Sequence, residues 1–406
     1  MEETGKLVFM KNLPPRLWIG RVVFFGLILF VMITGIICFI NALQWINKPF
    51  AGFMMNPRHV IVTTGQYHWT GIQEGIKLLD KILLADDRTI RSMSDLEEVV
   101  ANKPVGEPVA YSIERKGEII KVAIPTMRFT AMDLLLSFGF PFLSGIIYLL
   151  IGVIVFILKP DTKVSWAFLL SCVFLSIYTI TAFDVVSTQR GFIRMYLFAE
   201  VFVPAAFIHF SLLFPEKREI IGGKPYLLLI PYALSTFFII PIELFYPNQF
   251  YVKIHDYVPF YIVVSAAVLI ASILHAYIRK SSSLARQRAK VILSGAAFAF
   301  PIPAIVNIFP HLGGTLIGVK IPDSLTAVPL LIFPASIAYA IAKHNLFDVD
   351  VYVKRAVGYG IMTAIVGTTY FSLQVGVRTA FQPIFGEHAE KIYPALFAVL
   401  IVFLYE

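Results

Sequence analysis

The sequence predicts a polytopic α-helical membrane protein with a folded α+β domain inserted after its first span. Three observations predict it. Hydrophobic residues make up 58% of the chain and charged residues only 15%, with a mean hydropathy of +0.77, so lipid rather than water is the main solvent. About ten runs are apolar and almost free of charge over lengths suited to crossing a hydrocarbon layer of roughly 30 Å as helices. Between the first and second of these runs stands a block of about 84 residues, 47–130, with the alternating patterns and turn residues of a water-soluble fold.

Residues 1–46 hold a short N-terminus and the first span, 22–43. This run has no small-residue cleavage site and reads as a retained anchor rather than a signal peptide. The inserted domain, 47–130, follows. Seven further spans are expected within 131–343, at 134–158, 164–182, 195–214, 226–244, 260–278, 291–309 and 325–342. An amphipathic stretch, 344–355, interleaves Leu346, Phe347, Val349, Val351 and Val353 with Asp348, Asp350 and Lys354, as suits a segment lying at a membrane surface. Residues 356–406 hold two last spans, 356–377 and 392–405. The final run is short for a crossing, which reads as a truncated chain.

Orientation follows from the excess of Lys and Arg expected in cytoplasmic loops. With the N-terminus inside, the loops at 1–21, 159–163, 215–225, 279–290 and 343–355 carry seventeen of them. The opposite short loops carry six: Arg190, Arg194, Lys253, Lys320, Arg378 and Lys391. The N-terminus is therefore expected in the cytoplasm and the 47–130 domain outside. The formal net charge of +8 is mostly this loop bias, so no nucleic-acid partner is expected. Cys38 and Cys172 both fall in spans, which leaves the inserted domain to fold by packing alone.

Within that domain, Val60, Ile61 and Val62 form a β-branched run, and Gly71 to Gly75 reads as a turn or short helical piece. Residues 81–84 read as a strand ending at the turn residues Asp86 and Asp87. Ser94 with Glu97 reads as a capping box for a short helix carrying Leu96, Val99 and Val100, which stops before Pro104 and Gly106. Residues 109–115 and 118–124, joined by Lys116 and Gly117, read as a hairpin.

That order of elements, with the run 75–83, the turn 86–90 and the capped helix, resembles a bacterial PDZ domain. Leu79 and Asp87 stand where the family usually has glycine. The resemblance implies a groove that takes an extended peptide as an added strand. Gly52, Phe53 and Met54 would form its carboxylate-binding turn, Val60, Ile61 and Val62 the receiving strand, and the helix face with Leu96 and Val100 the far wall. The same fold also serves as a spacer or a homodimer contact. The segment 338–350 with Lys354 and Arg355, the exit 209–215 and the junction 126–129 give the chain a wider likeness. It is similar to the membrane sensor region of bacterial polytopic signalling proteins, among them sensor histidine kinases of the competence-pheromone type. This implies a cytoplasmic effector beyond residue 406, a histidine kinase among the possibilities, in a bacterial cell membrane.

Ionisable groups at membrane depth are default candidates for function. Glu200 lies inside its span near the outer side, Asp184 and Glu243 lie at outer ends, and Arg190, Arg194 and His255 stand in neighbouring outer loops. Together they suit a peptide or small charged ligand, whereas Glu200 and His209 fall on opposite helix faces. Prolines 204, 231, 241, 301, 303, 329 and 334 fall within the spans, as in sensors and transporters alike. A transporter or membrane scaffold with a PDZ module is the competing function. Residues 1–406 show no catalytic motif: none of His59, His68, His209, His255, His275, His311, His344 and His388 lies four residues from another, and nucleophile-elbow, P-loop and kinase signatures are missing. No cofactor or metal site is expected.

Overall fold

The computed structural model describes residues 15–56, 61–63, 68–77, 80–160, 162–187, 191–246, 253–279, 283–299 and 330–343. Helix α1 (Pro15–Leu43) is apolar on all sides, and Phe25, Leu29, Ile33 and Ile36 stay exposed along it as a lipid-facing surface. A β-rich unit follows, and then α4 (Ala131–Leu158), α5 (Lys163–Val186) and α6 (Ile193–Leu213). A short α7 (Glu219–Gly223) and a 3-10 turn (Pro225–Leu229) lead into α8 (Ile230–Phe245), then α9 (Val258–Ile278), α10 (Ser283–Ala299) and α11 (Ile332–Lys343). Six of these helical segments are long and apolar enough to cross a membrane, which makes this a multi-pass membrane protein. They coincide with the first six expected spans. The seventh and eighth are described only in part, as α10 and α11. The segment 344–355 and the last two spans lie outside the described residues.

The β-rich unit is closed at its base by β1 (Pro49–Phe50) pairing antiparallel with β8 (Met127–Arg128). Its main sheet has the order β5-β4-β6-β7, built from β4 (Lys81–Ala85), β5 (Arg88–Thr89), β6 (Pro108–Arg115) and β7 (Glu118–Pro125). The β6–β7 hairpin turns at Lys116 and Gly117, both at positive φ, the geometry that matches the right-handed twist of its strands. Separately, β2 (Met54–Met55) pairs with β3 (Ile61–Thr63). Two short helices complete the unit: α2 (Thr70–Gln73) and α3 (Met93–Ala101). The cap of α3 differs from the expected one. Ser92, not Ser94, is the N-cap, its hydroxyl accepting from the Asp95 amide at 3.2 Å, while the Asp95 carboxylate accepts from the Arg91 amide at 2.9 Å. Starting the helix at Met93 buries Met93, Leu96, Val99 and Val100 together; a start two residues later would leave Met93 off the buried stripe.

One core joins this unit to the membrane helices. It runs from Phe53, Met54, Ile82 and Tyr111 through Trp45, Phe50, Trp69 and Phe129 to Phe183, Ile177 and Val173 on α5. The rings make edge contacts, with Trp45 at 5.5 Å from Phe129 and at 5.8 Å from Phe183. In the bundle, α4 meets α5 through glycines. A Cβ on Gly145 would stand 2.6 Å from Ile180 Cγ1, and one on Gly152 2.7 Å from Cys172 Cβ. Close approach on small residues of this kind is how membrane helices gain packing where lipid offers no hydrophobic drive. Near its start α4 contains one π-turn, Leu135–Gly139.

Candidate functional site

At the end of the bundle that carries the β-rich unit, α5 finishes, α6 begins, α8 finishes and α9 begins, so acidic and basic groups from distant parts of the sequence converge. Asp184 on the last turns of α5 turns its carboxylate toward the incoming α6 and accepts from the amides of Gly191 (3.2 Å) and Phe192 (2.9 Å). These are N-terminal donors that no helix bond can satisfy. Two turns further along α6, Glu200 is buried at 6% exposure and meets His255 Nε2 at 2.7 Å, a pair that links α6 to the helical turn before α9. A buried carboxylate of this kind is held at low cost only when such a partner is present. Beside it, Tyr178 of α5 stacks on Tyr196 of α6 with ring centroids 4.7 Å apart. At the rim, Arg194 forms an ion pair with Glu243 of α8 and lies over the Tyr246 ring at 5.5 Å.

The expected outer group is thus brought together as one ion pair, one carboxylate–imidazole pair and a helix cap rather than one shared cluster. Glu200 joins His255, Arg194 joins Glu243, and Asp184 serves the α6 terminus. Arg190 lies outside the described residues. His209 faces away from Glu200, and its Nδ1 is 2.9 Å from the Tyr232 hydroxyl. The arrangement holds a carboxylate against an imidazole and could release either to a charged ligand. Among the described residues no group of three or more His, Cys, Asp or Glu side chains is disposed to hold a metal.

In the β-rich unit, Gly52, Phe53, Met54, Leu96 and Val100 are all buried, and Ile61 and Val62 lie on β3. Val60 lies outside the described residues. Gly52 has φ +79° and sits against α2: a Cβ there would come within 2.2 Å of Thr70 Oγ1, so only glycine fits. The side chains of Phe53, Met54, Leu96 and Val100 are therefore packed into the core.

The residue that sequence reasoning missed is Asp133. Its side chain is fully buried at the first turn of α4, where it accepts from Thr130 N (2.8 Å), Thr130 Oγ1 (2.6 Å) and Trp69 Nε1 (2.7 Å) and meets His68 Nε2 (2.8 Å). The capping box Thr130–x–x–Asp133 before an apolar run was a readable signal. Its tie to Trp69 was not, because 64 residues separate them. Comparison of the chain with models of protein families, with curated proteins and with solved structures finds no match.

Proposed function

We propose that this chain is the input half of a bacterial membrane receptor. Its N-terminus lies in the cytoplasm, its PDZ-like unit faces outward, and it relays ligand binding to a cytoplasmic effector, such as a histidine kinase, beyond residue 406. The observation that carries the reading is the Glu200–His255 pair, a buried carboxylate and a partly buried imidazole that link α6 to the helical turn before α9. A peptide or small ligand with its own charged groups competes for those partners. Separating the pair removes one tie between the helices, so the ligand has different affinity for the two arrangements, as transmission requires. The continuous core from Phe53 to Phe183 supports the same reading, since it joins outer unit and bundle.

The order of strands and helix in the outer unit supports its PDZ-like character. The burial of Gly52, Phe53 and Met54 favours a reading in which the ligand is recognised by the membrane block rather than by the groove. The test is to read the native open frame past the codon for Glu406. A kinase, cyclase or phosphatase there supports the receptor and names its output; an immediate stop codon overturns it. In a receptor so identified, Glu200→Gln is expected to abolish the response to ligand, and an unchanged dose response removes Glu200 from the site.

A further inference from the structure

The opposite end of the bundle, where α4 and α6 finish and α5 begins, holds a cavity of about 400 Å³. Its walls are of two kinds. Lys159, Lys217 and Arg288 bring three cations from three separate segments, while Val164, Leu213, Phe214 and Ile341 form an apolar side. Thr162 and Ser165 add hydroxyls at the N-terminus of the 24-residue helix α5, whose dipole favours negative charge. Glu216, exposed at the chain turn, is the only carboxylate in this lining among the described residues. The arginine supplies an independent sign of a missing partner. Its Nη1 donates to the Pro215 carbonyl at 3.3 Å, but its Nε is buried and has no hydrogen-bond acceptor among the described residues. An orphaned buried donor is costly, on the order of 1–3 kcal/mol, and calls for an explanation. Arg218 does not share the defect, because its Nη2 is committed to the carbonyl (3.0 Å) and hydroxyl (2.8 Å) of Ser272.

We propose that this cavity binds a phosphate-bearing anion, whether carried on an anionic phospholipid headgroup or on a small soluble compound. The phosphate takes up the Arg288 Nε donor and the two lysines, forming charge-assisted bonds. The apolar wall suits acyl chains entering from the lipid side, and basic pockets between membrane helices are a recurring form of headgroup site.

The experiment uses the full chain purified in neutral detergent. Its unfolding temperature and its retained lipid, by native mass spectrometry, are followed on addition of phosphatidylglycerol, phosphatidylcholine, inorganic phosphate or pyrophosphate. Stabilisation by phosphatidylglycerol but not phosphatidylcholine assigns the site to a lipid headgroup, and stabilisation by phosphate or pyrophosphate assigns it to a soluble ligand. Arg288→Gln is expected to weaken the effective ligand by about tenfold. Should that variant fail to fold, Lys217→Gln, at an exposed position, carries the comparison with a smaller loss. Absence of any anion effect, or equal binding by the folded variants, overturns the proposal.

Discussion

Asp95 shows how much one side chain decides at the start of a short helix. The Arg91 amide, aided by Ser92 and set against a smaller cost of desolvation, holds its carboxyl below the ordinary value of 3.8. A carboxyl with a depressed folded pKa binds fewer protons in the folded state. Its stabilisation is complete above the unfolded value and is lost as pH falls through the folded one. Asp95→Asn is therefore expected to unfold at lower temperature than the parent near neutral pH. Below 3.8 the two melting curves should converge; a constant gap would show that the charge is not the cause. This cap was legible only to within two residues, since Ser92 and Ser94 both stand three places before an acid. Burial of Met93 chose between them.

Among the elements, the contact of α4 with α5 depends on the absence of side chains. Gly145 faces Ile180 and Thr179 at distances no Cβ tolerates, and the Ser176 carbonyl at a tight 3.0 Å. Gly145→Val must push the helices apart, and a loss of about 1–3 kcal/mol in stability, read by thermal melting in detergent, is the expected cost. The same substitution at Gly26, where nothing lies within 4 Å, should be near neutral. The long helices themselves were plain in the sequence, because twenty apolar residues leave the chain few alternatives in lipid. Which faces meet was not, because helices that are apolar all round carry no stripe to read, and only spatial neighbours reveal why Gly145 and Gly152 matter.

For the whole molecule, the β-rich unit and the bundle share one aromatic junction, with Phe129 touching Trp45, Phe50, Trp69 and Phe183. Phe129→Ala is expected to cost about 3–5 kcal/mol and to raise amide exchange at β1 and β8 while leaving α8 and α9 unchanged. Uniform exchange throughout would show that the unit is not held at this joint. The site at the same end was half legible. Glu200, His255, Arg194 and Glu243 could be placed near one surface from topology. Their division into separate pairs depends on how α6, α8 and α9 turn, which charge patterning does not specify.

The π-turn at Leu135–Gly139 acts as a dislocation in α4, one residue more than a regular helix would use. It is pinned from both sides. Above it, Asp133 is tied to Thr130 and Trp69; below it, Gly145 and Gly152 are keyed into α5. Working the surplus residue out past either end would turn that end by about 100° about the helix axis. The upper rotation would tear the carboxylate from its donors, and the lower would drive side chains into α5. The surplus is therefore trapped in a stretch of about three turns, and the phase between the outer unit and the bundle is set by a fault that cannot heal.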